Sequence, residues 1–205
     1  MVTKKTVWRE FFENKSLEIF NSQNKIIDIG GGLRIDRSKN NRFNQDNLEL
    51  LKDVVLKTDY KIMDLVPDYH PDIVGDIHHM PFKDGEIDAI FCLAVLEHVQ
   101  DPIRGVDDCY RVLKSGGKAL FYVPFLYYYH NDEGYCSDYW RYTHEGCKYL
   151  FRNFKKVELC PVRGRFGTIA RLTSPKYLSK LGGWLDTFFP KKSNQVSGYY
   201  IYAEK

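Results

Sequence analysis

The chain lacks most of the features that would assign it to a specialised class. It has no C-x-x-C pair, and its five cysteines (Cys92, Cys109, Cys136, Cys147 and Cys160) are an odd number. That argues against a disulfide framework and a cysteine-built zinc site, so reduced thiols, a cytoplasmic setting and no metal centre are expected. No apolar run approaches the roughly 20 residues of a membrane-spanning helix. The start, Met1-Val2-Thr3-Lys4-Lys5, is basic without an apolar stretch behind it, so no signal peptide is expected. A net charge of +3 over 205 residues is too small to argue for nucleic acid. There is no internal repeat, and no G-x-G-x-x-G of the kind that cradles a dinucleotide.

What is present begins with Ile26-Ile27-Asp28-Ile29-Gly30-Gly31-Gly32. Two apolar residues and an acid run into three glycines, which reads as a buried strand ending in a loop where a ligand can approach the backbone. Glycine takes positive φ and has no Cβ to hold a ligand away. Asp28 would repel a pyrophosphate, so the expected ligand carries hydroxyls or a cation.

Around this stretch, residues 6–20 show a helical face (Trp8, Phe11, Phe12, Ile19), and Arg34 to Asn47 is polar and asparagine-rich (Asn40, Asn41, Asn44, Asn47), with irregular structure expected. A short helix over 47–56, a strand at 60–63 ending on Asp64, a brief strand at 72–74 reaching Gly75-Asp76-Ile77, and an apolar central strand over 87–93 follow. Asp101-Pro102 starts a helix that Gly116-Gly117 is expected to stop. A strand over 118–123, a helix over 144–153 with Thr143 as N-cap, a strand over 154–162, a helix from Ser174-Pro175 through Leu178, Leu181, Leu185 and Phe188, and a final strand over 199–203 complete the chain. This alternation predicts a mostly parallel sheet with helices on both faces. Ligands of such sheets bind beyond the carboxyl ends of the strands. Asp28 to Gly32, Asp64, Asp76-Ile77 and Leu93 to His98 all fall there.

Taken with Met80-Pro81-Phe82, Asp84, Ile87-Asp88, Val95-Leu96-Glu97-His98-Val99, Asp101-Pro102, Arg111-Val112-Leu113-Lys114, Gly116-Gly117 and Val123-Pro124, the set resembles a class I S-adenosylmethionine-dependent methyltransferase, in particular the type 11 methyltransferase domain. The resemblance covers roughly residues 25–155. It implies a Rossmann-like α/β fold with a seven-stranded sheet whose last strand is antiparallel, and S-adenosylmethionine as cofactor. It further implies that Gly30, Gly31 and Gly32 lie along the methionine part of the cofactor, that Asp28 orients its amino end, and that Asp64 with Leu65 takes the ribose. Asp76 and Ile77 fall to the adenine, and Leu93 and Ala94 to the neighbourhood of the sulfonium. His98, beside Glu97, more often supports the loop than acts in the chemistry. The chain departs from the family in its three consecutive glycines, in the irregular stretch after them, and in Ser115, where proline is common.

Phe125 to Thr143 (FLYYYHNDEGYCSDYWRYT) follows the fifth strand and overhangs the same crevice. His130 is the candidate general base because an unperturbed imidazole titrates near neutrality. Asp138 either orients His130 or acts itself. Arg141 either binds an acidic group of the acceptor or pairs with Asp138. Tyr129 and Trp140 offer stacking surfaces for a sugar ring, or pack. The His130 and Asp138–Thr143 pieces resemble a subset of type 11 domains linked to saccharide or cell-envelope pathways, so the expected reaction is O-methylation of a small-molecule or saccharide acceptor. A cofactor-binding module without turnover is the alternative, and a nicotinamide oxidoreductase a weaker one. The chain is expected to be one domain: an N-terminal helix (1–24), a cofactor-binding core (25–162), a basic helical insertion (163–196) and the last strand (197–205). Between Arg163 and Lys192 stand seven basic residues and one acid, Asp186. They form either a solvated cover, which is favoured, or a peripheral foot on the inner face of an anionic membrane.

Overall fold

The computed structural model describes residues 5–36, 43–131, 133–173, 182, 185, 186 and 194–205. A first helix, α1 (Val7–Ser22), leads into β1 (Lys25–Ile29). Then come α2 (Gln45–Val55), β2 (Asp59–Asp64), the short β3 (Ile73–Val74) and β4 (Ile87–Leu93). After these stand α3 (Pro102–Val112), β5 (Leu113–Pro124), α4 (His144–Leu150), β6 (Lys156–Val162), α5 (Arg165–Thr173) and β7 (Gly198–Glu204).

The strands form one sheet in the order β3-β2-β1-β4-β5-β7-β6. The first five run parallel, and β7 inserts antiparallel between β5 and β6. The order reverses between β1 and β4, which opens a crevice at their carboxyl ends. Side chains alternate across the sheet. Ile27, Ile29, Ile90, Cys92 and Phe121 pack on one face with α3 and α4, while Ile26, Ala89, Phe91 and Leu120 pack on the other with Phe12, Ile19 and Phe20 of α1. Four of the five cysteines are buried among these apolar side chains, as small hydrophobes.

The helix starts follow the expected chemistry. The Asp101 carboxylate accepts from the Arg104 amide at 3.0 Å with Pro102 at the first position, and the Thr143 hydroxyl accepts from the Gly146 amide at 3.1 Å. Gly116-Gly117 does not stop α3. The helix ends at Val112 because Leu113 already pairs with Ile87, and the two glycines bend the start of β5 beneath the chain end, where Gly117 O accepts from the Lys205 amide. A Cβ on Gly117 would come within 2.8 Å of Lys114 O. The helix α5 falls inside the basic segment, earlier than the helix expected from Ser174, most of which (with Leu178, Leu181 and Phe188) lies outside the described residues, as do Asn40 and Asn41. Its amino end is held by the single acid of that segment: Asp186 accepts from the amides of Gly164, Phe166 and Gly167 at 2.8–3.0 Å.

Candidate active site at the carboxyl edge of the sheet

The glycine loop is built around the Asp28 carboxylate. Asp28 is fully buried and accepts from the Gly32 amide (3.1 Å), the Leu33 amide (3.0 Å) and the Tyr60 hydroxyl (2.8 Å) on the neighbouring strand. Burial pushes its carboxyl up to about 7, against the pull of those three donors. Gly30 and Gly31 take φ of +73° and +57°. The missing side chains at 30 and 32 face protein. A Cβ at Gly30 would sit 2.6 Å from Val95 Cγ2, and one at Gly32 would sit 2.6 Å from Leu93 Cβ. These two glycines therefore let the loop close onto the end of β4, a packing requirement that the motif alone did not reveal.

At the end of β2, the Asp64 carboxylate is half-buried and accepts from the Val66 amide at 2.9 Å, and burial raises its pKa. Leu65 beside it is exposed. Asp76 caps the 3-10 turn over 77–79, accepting from the His78 amide at 2.9 Å and facing His78 Nδ1 at 2.7 Å, and its amide and imidazole partners hold the carboxyl below its usual range. Ile77 is buried against Gly105 of α3. Past β4, Ala94 has φ +58°, a left-handed conformation that costs a non-glycine residue of order 1 kcal/mol and is held here by its amide donating to Tyr122 O at 3.0 Å. The glycine loop, Asp64, Asp76-Ile77 and Leu93-Ala94 thus stand at the ends of adjacent strands, as the sequence predicted.

An ion pair braces the segment after β5. Arg141 makes a two-pronged contact with Asp138 (Nη1 to Oδ1 2.5 Å, Nη2 to Oδ2 2.7 Å). Its remaining donors go to the carbonyls of Trp140 (2.7 Å), Tyr128 (2.8 Å) and Tyr127 (3.4 Å). The guanidinium holds the Asp138 carboxyl down to about 2, and a carboxylate so held is no proton acceptor near neutrality. Asp138 also accepts from the His130 amide at 2.8 Å and lies 3.4 Å from His130 Nδ1. Asp138 and Arg141 thus pair with each other, and Asp138 anchors the His130 backbone. The structure turns Trp140 away from this group: its indole N–H donates to Val99 O at 2.8 Å and its ring lines a shallow hollow with Pro102, Ile103 and Tyr149. Tyr129 is 69% exposed, free to meet a ligand. His98 donates from Nδ1 to Ser137 O at 2.8 Å and meets the His130 ring edge-on at 5.1 Å, so it ties the loop after β4 to the segment after β5.

Two cations of the basic segment turn inward. Arg171 donates to the Tyr127 hydroxyl at 2.8 Å, and Arg163 stacks over the Trp8 ring at 5.5 Å. Among the described residues no helix is long and apolar enough to cross a membrane.

Residues 45–121 match the family model described as a methyltransferase domain. The match covers the middle of the chain, and the chain shares the fold of solved S-adenosylmethionine-dependent methyltransferases. Its relatives include 2-methyl-6-phytyl-1,4-hydroquinone methyltransferase of Arabidopsis thaliana, 27% identical over 74% of this chain and 47% of that protein. An uncharacterized protein of Methanocaldococcus jannaschii is 30% identical over 55% of this chain and 48% of its own length. The chain spans about half the length, or less, of the curated relatives it matches. Solved structures with the same fold include a SAM-dependent methyltransferase from Archaeoglobus fulgidus (TM-score 0.60, 16% identity, 96% of this chain and 94% of that one). Another is Haemonchus contortus phosphoethanolamine N-methyltransferase 2 in complex with S-adenosyl-L-methionine (TM-score 0.54, 14% identity, 97% of this chain and 52% of that one). The S-adenosyl-L-methionine of that neighbour is the cofactor that the sequence resemblance implies for this chain. The acidic strand ends suit it, because a partly desolvated carboxylate such as Asp64, fixed by backbone amides, accepts hydroxyl donors well.

Proposed function

We propose that the chain is an S-adenosylmethionine-dependent methyltransferase that acts on an oxygen atom of a small-molecule or saccharide acceptor. The observation that carries this reading is the convergence of the Asp28-pinned glycine loop, Asp64 and Asp76 at the carboxyl ends of neighbouring parallel strands, in a chain whose residues 45–121 match a methyltransferase domain. When bound, the cofactor supplies a methyl group already activated by a sulfonium, so alignment and exclusion of water remain as the protein's tasks. Asp64 accepts from the ribose hydroxyls, with Leu65 alongside. Asp76 accepts from the adenine amino group while the Ile77 backbone meets its ring. The glycine loop offers Gly30, Gly31 and Gly32 backbone to the methionine end, and Asp28, by fixing that loop, places negative potential near its ammonium group. Leu93 and Ala94 form the wall near the sulfonium.

On the acceptor side, His130 takes the hydroxyl proton. Its amide is anchored to Asp138, which Arg141 braces in turn, so the imidazole is presented from a fixed backbone. Tyr129 supplies an exposed ring on which an acceptor can stack. The names of the plant relatives support adding hydroquinones to the acceptor panel alongside saccharides.

Calorimetric titration with S-adenosylmethionine, S-adenosylhomocysteine and NAD tests the reading. Binding of both sulfur compounds in the micromolar range and none of NAD is expected. NAD binding with neither sulfur compound sinks it. Asp64→Ala is expected to weaken cofactor binding at least about tenfold, the equivalent of one charge-assisted hydrogen bond, whereas His130→Ala keeps binding and slows transfer. Measurable cofactor binding without turnover of any acceptor in the panel would favour a non-catalytic binding module.

A further inference from the structure

Among the described residues, the Glu97 carboxyl group is incompletely satisfied. Its side chain is 1% exposed, its Oε2 is buried without a hydrogen-bond partner, and no donor within the loop compensates that atom. A buried carboxylate with an unpaired oxygen is costly. His130 Nε2 lies 3.9 Å from the other oxygen of the same carboxyl group, Oε1. The imidazole of His130 contacts the Tyr128 carbonyl through Nδ1 at 3.1 Å, and that of His98 contacts the Ser137 carbonyl through Nδ1 at 2.8 Å. A carbonyl accepts only from a protonated nitrogen, so each neutral ring carries its proton on Nδ1 and presents a bare Nε2 lone pair. A bare Nε2 lone pair and Oε1 facing each other across 3.9 Å call for a proton or a cation between them.

We infer that Glu97, His98 and His130 form a binding site for a divalent first-row transition metal ion of the zinc class. The ligand atoms of the three residues lie within 4.8 Å of one another, and among the described residues they form the one such cluster of His, Cys, Asp or Glu side chains. An ion bound at about 2.1 Å from each draws them together by roughly 1 Å or less, a shift small rotamer adjustments supply. Two imidazoles and one carboxylate suit a borderline metal and not Mg2+ or Ca2+, which prefer all-oxygen cages. The outer contacts have the form that fixes metal-ligating histidines: a backbone carbonyl on each Nδ1, with the Asp138 carboxylate 3.4 Å from that of His130. Cysteine spacing could not reveal this site, because its ligands come from the loop after β4 and the segment after β5. Three protein ligands leave coordination positions open for oxygen atoms of an acceptor. With the ion bound, His130 Nε2 is a ligand, and lowering the pKa of a bound hydroxyl falls to the ion, in place of the proton acceptance assigned to His130 without metal. That step rests on the methyl-transfer reading above.

The test is calorimetry of ZnCl2 into protein first freed of metal by a chelator, with Co2+ absorption as a geometric probe and MgCl2 as a comparison. One equivalent of Zn2+ with micromolar or tighter affinity and a ligand-field spectrum for Co2+ are expected. His98→Ala, His130→Ala and Glu97→Gln are each expected to weaken Zn2+ at least about tenfold, while His144→Ala, on the surface outside the cluster, leaves it unchanged. Absence of Zn2+ binding, or equal binding by a His98→Ala/His130→Ala double variant, overturns the site. Circular dichroism verifies folding, and His130→Asn replaces His130→Ala if the latter does not fold. S-adenosylmethionine titrated into the same metal-free protein separates the two readings. Cofactor binding without Zn2+ binding removes the metal alone, and Zn2+ binding without cofactor binding removes the methyl-transfer reading alone.

Discussion

Two buried carboxylates sit at the carboxyl edge of this sheet in opposite circumstances. Asp28, at the end of β1, is surrounded by donors: two loop amides and the Tyr60 hydroxyl occupy both of its oxygens. Glu97, past the end of β4, is as deeply enclosed, yet one of its oxygens has no partner. Burial raises both, Asp28 to about 7 and Glu97 to about 8. The contrast separates an acid that shapes the protein from one placed for something the protein does not itself supply. Asp28 converts a flexible glycine run into a fixed loop, whereas Glu97 keeps an oxygen open to a ligand.

The sharpest way to break that contrast is at Asp28. Asp28→Ala leaves two amides and a hydroxyl without their acceptor and is expected to cost about 3 kcal/mol or more in urea unfolding. A loss under about 1 kcal/mol would mean that the loop holds itself. The titration carries a matching signature. Because the folded pKa lies above the unfolded value of 3.8, the native state holds the extra proton between about pH 4 and 7, so this contribution is full below pH 4 and is lost as pH rises through 7. Relative to Asp28→Asn, which cannot titrate, the wild type is expected to lose about 2.5 kcal/mol of unfolding free energy between pH 5 and 7.5.

Next comes the wall against which the loop closes. Gly32→Ala drives a methyl group into Leu93 Cβ and Leu93 O, 2.6 and 2.8 Å away, both part of or attached to the β4 backbone. Overpacking of this kind is expected to cost about 2 kcal/mol and to weaken S-adenosylmethionine binding together with stability. Unchanged binding in a folded Gly32→Ala protein would detach the loop from the cofactor.

These cases mark what the sequence made legible. The mostly parallel sheet with flanking helices and the acids at its strand ends followed from alternation and from where each acid stood relative to an apolar run, since strand periodicity acts locally. The seven strands with an antiparallel last one were implied only by the family resemblance, and the strand order came from the structure. The glycines were legible as a turn, but their purpose was not, because Leu93 and Val95 lie more than 60 residues away and meet them only after β1 and β4 pair. Gly116-Gly117 misled for the same reason: a glycine pair after an amphipathic stretch reads as a helix stop, while pairing of Leu113 with Ile87 ended the helix three residues earlier. Glu97 and His98 were visible as a dipeptide. Their meeting with His130 depends on two separate excursions beyond the sheet, and no spacing rule joins them.

The third acid of the region completes the comparison with the smallest expected effect. Asp138 is enclosed like the other two, but Arg141 neutralises it with a two-pronged contact and holds its carboxyl at about 2. A folded pKa below the unfolded 3.8 places this contribution at and above pH 4 and removes it as pH falls toward 2, the reverse of Asp28. Arg141→Lys keeps the charge and loses the fork. With the guanidinium 26% exposed and partly screened, the expected cost at pH 7 is about 1 kcal/mol, shrinking as pH falls from 4 toward 3. If Arg141→Lys instead leaves stability untouched at both pH values and weakens acceptor binding, then Arg141 answers to the acceptor and not to Asp138. The segment after β5 would then have to be read, like Glu97, as waiting for a ligand.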